Sequence, residues 1–354
     1  MIRLSMLQLR IQAITGAVAL IAFAVLLAAT GPHLASMYAA SGLPGCQPAS
    51  CGHQASSFLQ QVGSTGPYAA VYPLCIILIA VTPAVTGLFW GAPLLARELE
   101  TGTFALAWSQ SVTRARWLAV KLTIGGLAAM AVTEALTLLF AWWAAPIGQA
   151  ARRGGSGNLA MNQFNPLAFG THGITPLGYA AFAFALGVTA GALIRRTVPA
   201  MAVTLAIFAA VQIAMPLWIR PNLFPASHTT IPIAFSDSTL NLYKANSPHT
   251  YTFTLATYDG LPGQPEAWIR YSGAADAAGN PVSTTVPPAC TPAAISGGPG
   301  PALANCLASR GIRIVVTYQP ASRYWPFQLT ETGIYLVVSL ALAGYCFRRL
   351  GRLS

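Results

Sequence analysis

The chain has 354 residues, of which 55% are apolar and only 8% charged, with 19 Lys plus Arg against 8 Asp plus Glu. Soluble domains carry about a quarter charged residues, so a purely soluble fold of this size is excluded, and the high hydrophobicity excludes intrinsic disorder. The net charge of +11 does not point to nucleic acid, because the basic residues stand at the ends of apolar stretches rather than in one dense hydrophilic run.

A membrane-crossing helix needs about 20 apolar residues, at about 1.5 Å each, to cross a core of about 30 Å. Six segments qualify: 11–30, 72–95, 120–145, 176–194, 198–219 and 327–347. Arg3 and Arg10 precede the first as they would a secretion signal, but its length and the five later spans mark it as a span. The preceding stretch, 1–10, reads equally as a short interfacial amphipathic helix or as an extension of that span. Pro73, Pro83 and Pro93, with Gly87 and Gly91, predict a bent packing helix for the second span. Glu134 is the one carboxylate in the middle of a span. An intramembrane charge is costly, so Glu134 is a pathway candidate. No second intramembrane ionisable residue is evident, which favours a Glu that merely joins helices. Gly187 and Gly191 are spaced for close helix packing, and Arg195 and Arg196 in the next turn suit anionic headgroups.

Orientation follows from the basic residues. With the N-terminus in the cytosol, the short inner segments hold Arg3, Arg10, Arg97, Arg114, Arg116, Lys121, Arg195, Arg196, Arg348, Arg349 and Arg352 against Glu98 and Glu100. Asp237, Asp259, Glu266, Asp276 and Glu331 then count with the outer side. Tyr72, Trp142, Trp143, Trp218, Tyr324 and Trp325 fall near outer span ends, where amphipathic rings belong. This predicts a multi-pass protein of the cell (plasma) membrane with both termini cytoplasmic. Cys46, Cys51, Cys290 and Cys306 fall outside, where an oxidising compartment predicts two disulfides. Of three pairings, the local ones are favoured, Cys46 with Cys51 and Cys290 with Cys306. Their spacing is not that of a zinc motif, and His33, His53, His172, His228 and His249 are scattered, so no metal site is expected.

The stretches 31–71 and 146–175 read as outer loops rich in Gly with Pro, Ser or Asn. The insertion 220–326 holds strand-like runs at 250–257, 267–271 and 312–318. The fold class is therefore an all-α polytopic membrane protein with six transmembrane helices and a small β-containing extracellular insertion between helices five and six. Its parts are 1–219 (helices one to five, with a cytosolic loop 96–121), the loop domain 220–326, and 327–354 (helix six and a basic cytosolic tail).

The loop 96–121, "ARELETGTFALAWSQSVTRARWLAVK", holds both inner acids. Gly102 breaks the helix leaving the membrane, Thr103 can cap a short helix over 104–108, and Ser111 or Thr113 can cap the next. The result is a helical knob with Phe104, Trp108 and Trp117 between acidic and basic shoulders. Physics alone divides evenly between a docking knob and a solvated loop with interfacial tryptophans. The residues, however, resemble the first cytosolic loop of ABC (ATP-binding cassette) exporter permeases of the type-2 class, particularly the actinobacterial ones. The resemblance lies in acid-x-acid-x-Gly-Thr at Glu98, Glu100, Gly102 and Thr103, then Trp108 and Gln110, then Thr113, Arg114, Arg116, Trp117 and Lys121. "YQPASRYWPFQLTETGIYL" at 318–336 and "TGPHL" after the first span are similar as well.

This resemblance implies the permease subunit of an ATP-driven exporter. The loop would be a coupling helix seated on a separate ATPase subunit, docked through Glu98, Glu100, Gly102, Thr103, Arg114 and Arg116. A second permease subunit would complete a homo- or heterodimer. The only lysines are Lys121 and Lys244, and neither sits in a G-x-x-x-x-G-K-[ST] loop. No cofactor is therefore expected in this chain, with ATP and Mg bound by the partner. No H-E-x-x-H occurs, nor a G-x-S-x-G in fitting context, so no catalytic residue and no enzyme activity are expected. Two alternatives stand: a membrane-anchored binding or sensory protein using the 220–326 ectodomain, and a polytopic envelope or lipid-modifying enzyme.

Overall fold

The computed structural model describes residues 10–46, 51–64, 66–101, 113–233, 240–244, 251–255, 261, 264, 266–276, 278–283, 285–292 and 300–351. Two compact units emerge, Met1–Leu223 with Trp325–Ser354, and Phe224–Tyr324. In chain order the helices are α1 (Arg10–Ala40), α2 (Gly52–Ser64), α3 (Tyr68–Thr86), α4 (Ala92–Thr101), α5 (Arg114–Arg152), α6 (Pro166–Phe169), α7 (Thr175–Ile194), α8 (Thr197–Ala214), α9 (Pro301–Ser309) and α10 (Tyr324–Gly351). The strands are β1 (Ser227–Pro232), β2 (Leu240–Lys244), β3 (Tyr251–Leu255), β4 (Trp268–Ala275) and β5 (Arg313–Gln319).

Six helices are long and apolar enough to cross a membrane, the number expected: Ile14–Ala40, Tyr68–Thr101, Ala115–Arg152, Thr175–Ile194, Thr197–Asn222 and Ala321–Arg349. Large apolar side chains such as Ile14, Val18, Ile21, Leu205, Val337 and Leu340 stand exposed along their outer faces. Water would not tolerate so much apolar surface, whereas lipid does.

Several helices overrun the expected spans. α1 continues through Pro32 to Ala40, and α5 continues through Pro146 to Arg152, into stretches read as loops. The first of those loops also contains α2, which buries Ala55, Phe58, Leu59 and Val62. These side chains join Leu27, Leu34, Tyr72, Phe140 and Trp143 in one core. Trp143 Nε1 donates to Thr30 Oγ1 at 2.9 Å, and Tyr38 meets Phe58 edge-on at 5.5 Å. Tertiary burial here outweighs the poor helix propensity of Gly, Ser and Pro. The Cys46–Cys51 disulfide links the chain after α1 to the start of α2.

α7 is the central helix, with nearly every residue from Thr175 to Ala192 buried. Its small residues allow backbone to meet backbone. A Cβ on Gly187 would lie 2.3 Å from the Gly87 carbonyl oxygen, and one on Gly191 would lie 2.5 Å from that of Ala92. Gly87 and Gly91 bound a π-helical turn, Gly87–Gly91, that joins α3 to α4. In the second span, where a bend was expected, this turn is set between Pro83 and Pro93 and fitted against α7.

One expectation is corrected. Glu134 is not the only ionisable side chain enclosed by the spans. Glu331, assigned to the outer side, stands two turns inside α10, and α8 is prolonged by a π-helical turn, Met215–Ile219, and a 3-10 turn, Arg220–Asn222. Arg220 and Glu331, 1% and 0% exposed, form an ion pair with Nε to Oε2 at 2.8 Å.

The second unit is built on an antiparallel sheet of order β1-β5-β4, with a separate β2-β3 pair. Thr230 lies opposite Val315 across β1 and β5, and Ser272 opposite Val316 across β4 and β5. Ile314 and Val316 alternate inward on β5 and meet Leu303 and Leu307 of α9. The runs expected at 250–257, 267–271 and 312–318 correspond to β3, β4 and β5. β1 and β2 lie outside those runs. β1 is an edge strand ending in Pro232, and Pro is confined to such positions. β2 is five residues long.

Cys290 pairs with Cys306, separated by 16 residues, and ties the 3-10 turn Pro288–Cys290 to α9. A loop of that size restricts the unfolded chain by about 3 kcal/mol. Cys290→Ala with Cys306→Ala should therefore lower the unfolding temperature of the 224–324 unit. Differential scanning calorimetry on the full chain, with and without reductant, checks this. Opening the shorter Cys46–Cys51 loop should cost less.

Candidate coupling site

α4, α5 and α8 meet at the end of the first unit where exposed arginines gather: Arg97, Arg116, Arg195, Arg196, Arg348 and Arg349. α5 begins at Arg114 and is capped by Thr113, whose Oγ1 accepts from Arg116 N at 3.4 Å. That bond satisfies one of the free amides every helix start carries. Two turns further on, Lys121 is only 3% exposed. Its Nζ donates to Glu98 Oε1 across the loop and lies 4.3 Å over the Trp117 ring. An ammonium over an indole face is attracted by the ring quadrupole, so both neighbours favour the charged Lys121.

Glu100 is held differently. Its Oε2 accepts from Thr197 N at 3.1 Å and from Thr197 Oγ1 at 2.8 Å. The residue before α8 is Arg196, which caps with no side-chain bond of its own. A carboxylate from α4 thus takes the role that Ser or Asp would ordinarily fill, where the helix dipole favours negative charge.

The six docking candidates are distributed as follows. Glu98 and Glu100 lie within 23 and 97 residues of partners in their own chain. Arg114 opens α5, and Arg116 is exposed on its first turn. Gly102 and Thr103 lie outside the described residues, together with the helix expected over 104–108. The structure brings Lys121 and Thr197 to the two acids. Lys121 was visible in the motif as one of only two lysines, but nothing local pairs it with Glu98. Thr197 carried no signal.

Glu134 stands apart, half-buried in α5 between Thr133 and Thr137, which bond back to the Ala129 and Thr133 carbonyls. Its Oε2 is enclosed and has no hydrogen-bond partner among the described residues. No group of metal-ligating side chains gathers among the described residues.

A second polar centre, which no local pattern in the sequence reveals, lies at the opposite helix ends. Arg220 grips Glu331 with two bonds, Nε to Oε2 at 2.8 Å and Nη2 to Oε1 at 3.0 Å. Tyr179 donates to Glu331 Oε1 at 2.6 Å, and the guanidinium lies 3.9 Å over the Phe169 ring. Close by, Gln328 Oε1 accepts from the Ile174 and Thr175 amides at 3.1 and 2.9 Å, and Gln328 Nε2 donates to the Phe169 and His172 carbonyls. α10 is thereby bound to the start of α7 by polar contacts. The available signal was a lone Arg just past one apolar run and a lone Glu just inside another.

His172, in the turn before α7, is packed 5.1 Å from Phe140. Burial pushes its imidazole below the usual histidine range, against a smaller opposing effect of its bond to the Ala168 carbonyl.

A family model, ABC-2 membrane transporter related, matches residues 17–220. No curated protein matches the chain. No solved structure matches it either. The matched stretch contains all the docking candidates and Glu134, and it ends before the 224–324 unit and α10. With six membrane-crossing helices and a match over more than half its length, the chain belongs to the ABC-2 membrane transporter related family, as a multi-pass membrane permease.

Proposed function

We propose that this permease is the transmembrane subunit of an ATP-driven exporter, powered by a separate ATP-binding cassette ATPase that docks on the 96–121 segment. The arginine-rich helix ends and both termini face the cytosol, and a second permease subunit completes the pathway. ATP and Mg are held by the ATPase, and this chain catalyses no reaction itself. The observation that carries the reading is the family match across 17–220, which includes the whole docking stretch. The lack of any phosphate-cradling G-x-x-x-x-G-K-[ST] loop in the sequence supports an ATPase in trans. Transport follows if the ATPase contacts the segment differently before and after hydrolysis, since only differential contact shifts a conformational equilibrium.

The test is association. In mild detergent the full chain should co-purify with a subunit that is photolabelled by azido-ATP. Glu98→Lys with Glu100→Lys should weaken that association about tenfold or more, worth about 1.4 kcal/mol, while membrane insertion survives. Unchanged ATP-coupled transport by this variant would overturn the docking on 96–121, and transport by the chain without any ATPase would overturn the exporter reading.

A further inference from the structure

We infer that Glu98 and Glu100 are positioning residues that root the docking segment in the helix bundle, with Lys121 and Thr197 as their partners, and that they do not touch the ATPase. The inference rests on the proposed docking and deepens it.

Each acid is already committed within the helix bundle. Lys121 is buried, and the Glu98 side chain is only 18% exposed. If Glu98 turned outward to meet a partner, it would strand an ammonium inside the bundle without its counter-charge. Breaking a buried pair from one side is strongly destabilising, whereas an exposed docking contact contributes little. Glu100 is exposed, yet its Oε2 is committed to both donors of Thr197. Arg196 supplies no cap, so withdrawal of Glu100 would leave the first amide of α8 unserved by any side chain.

The two contacts also converge. Glu98 ties α4 to α5, and Glu100 ties α4 to α8. The turn between α7 and α8 is tight, with Arg195 as the one described non-glycine residue at positive φ, 57°. α4 is packed against α7 at Gly191, where an added Cβ would lie 2.5 Å from the Ala92 carbonyl oxygen and 3.2 Å from Ala96 N. The segment between Thr101 and Thr113 therefore leaves and re-enters a braced base. A push on it is delivered to α4, α5 and α8 together instead of being absorbed by bending where the loop begins. Contact with the ATPase falls to exposed residues outside these two pairs, such as Arg116.

Charge exchange separates the two roles. If Glu98 docks, Glu98→Lys with Lys121→Glu presents the wrong charge to the ATPase, and association stays as weak as in Glu98→Lys alone. If Glu98 roots, the exchange restores the internal pair. Association and ATPase stimulation should then return to within about twofold of the native chain, the behaviour of coupled neighbours in a double-mutant cycle. A second readout needs no ATPase. Thermal unfolding of the purified full chain should fall for Glu98→Lys and recover in the exchange, because a docking residue leaves it unchanged.

Should the exchanged chain fail to fold beside Trp117, Glu98→Gln with Lys121→Gln replaces it. That neutral hydrogen-bonded pair should recover both readouts relative to Glu98→Gln alone. Single variants that weaken association without lowering the unfolding temperature overturn the inference. So does a failure of both paired variants to recover either readout. If the native chain recruits no ATPase, the exporter reading fails, and the unfolding measurements alone decide whether the root exists.

Discussion

Glu331→Leu should unfold or cripple the helical unit, because it leaves Arg220 charged, fully enclosed and without its carboxylate. The loss is about 3–5 kcal/mol for removing one partner of a buried ion pair. Arg220→Met should do comparable damage by stranding the Glu331 carboxylate. The pair removed together is a different matter. Arg220→Met with Glu331→Leu takes away both desolvation penalties, and such apolar replacements are neutral or stabilise by about 1–4 kcal/mol. The two Glu331 Oε1 contacts, from Tyr179 and from Arg220 Nη2, make the arrangement specific as well as costly. Tyr179→Phe should accordingly cost only about 1 kcal/mol, the worth of one hydrogen bond. Thermal unfolding in detergent of the two singles and the double checks the set. A double variant as damaged as either single would mean that the ion pair is not what Arg220 and Glu331 contribute.

The second large effect is steric. Gly187→Val should block assembly of α7 against the π-helical turn, since even the first added carbon would sit 2.3 Å from the Gly87 oxygen and 2.8 Å from Ala92 N. Both obstacles are backbone, which cannot step aside as a flexible side chain can. Overpacking a well-filled site costs about 1–3 kcal/mol, and a rigid backbone obstacle places this one at the upper end or beyond. Gly344→Ala is the control. Nothing lies within 4 Å of its added Cβ, and it sits on an exposed part of α10. It should be neutral or gain up to about 1 kcal/mol from helix propensity. The yield of monodisperse folded protein and its unfolding temperature compare the two. Equal behaviour would refute the close backbone packing of α7.

Much of this architecture is legible in local sequence. Each crossing helix announces itself by about 20 apolar residues, since lipid demands that length of any segment that spans it. Gly187 and Gly191 announce close packing by spacing alone, though nothing in the spacing names Gly87 as the neighbour. The acid-x-acid-x-Gly-Thr stretch announces the family, and β3, β4 and β5 announce themselves by strand-like runs. α2 stays hidden because its Gly, Ser and His residues carry low helix propensity, and it is held by burying Phe58 and Leu59 against distant helices.

The site residues divide along the same line. Glu98 and Glu100 stood out because acids are rare in this chain, but their direction did not. Two acids on the shoulder of a loop between two spans read naturally as outward contacts. Only the fold brings Lys121 back across 23 residues and Thr197 across 97 to face them. Arg220 and Glu331, 111 residues apart, each look like an ordinary charge at a span boundary until the helix ends are seen to enclose them together. Composition and periodicity therefore determined by themselves that the chain crosses the membrane six times and which family motif it carries, because hydrophobic length and local pattern are properties of short segments. The partners of its few charges were decided only in the tertiary structure, because an electrostatic pair is defined by distance in space, which a one-dimensional pattern does not contain.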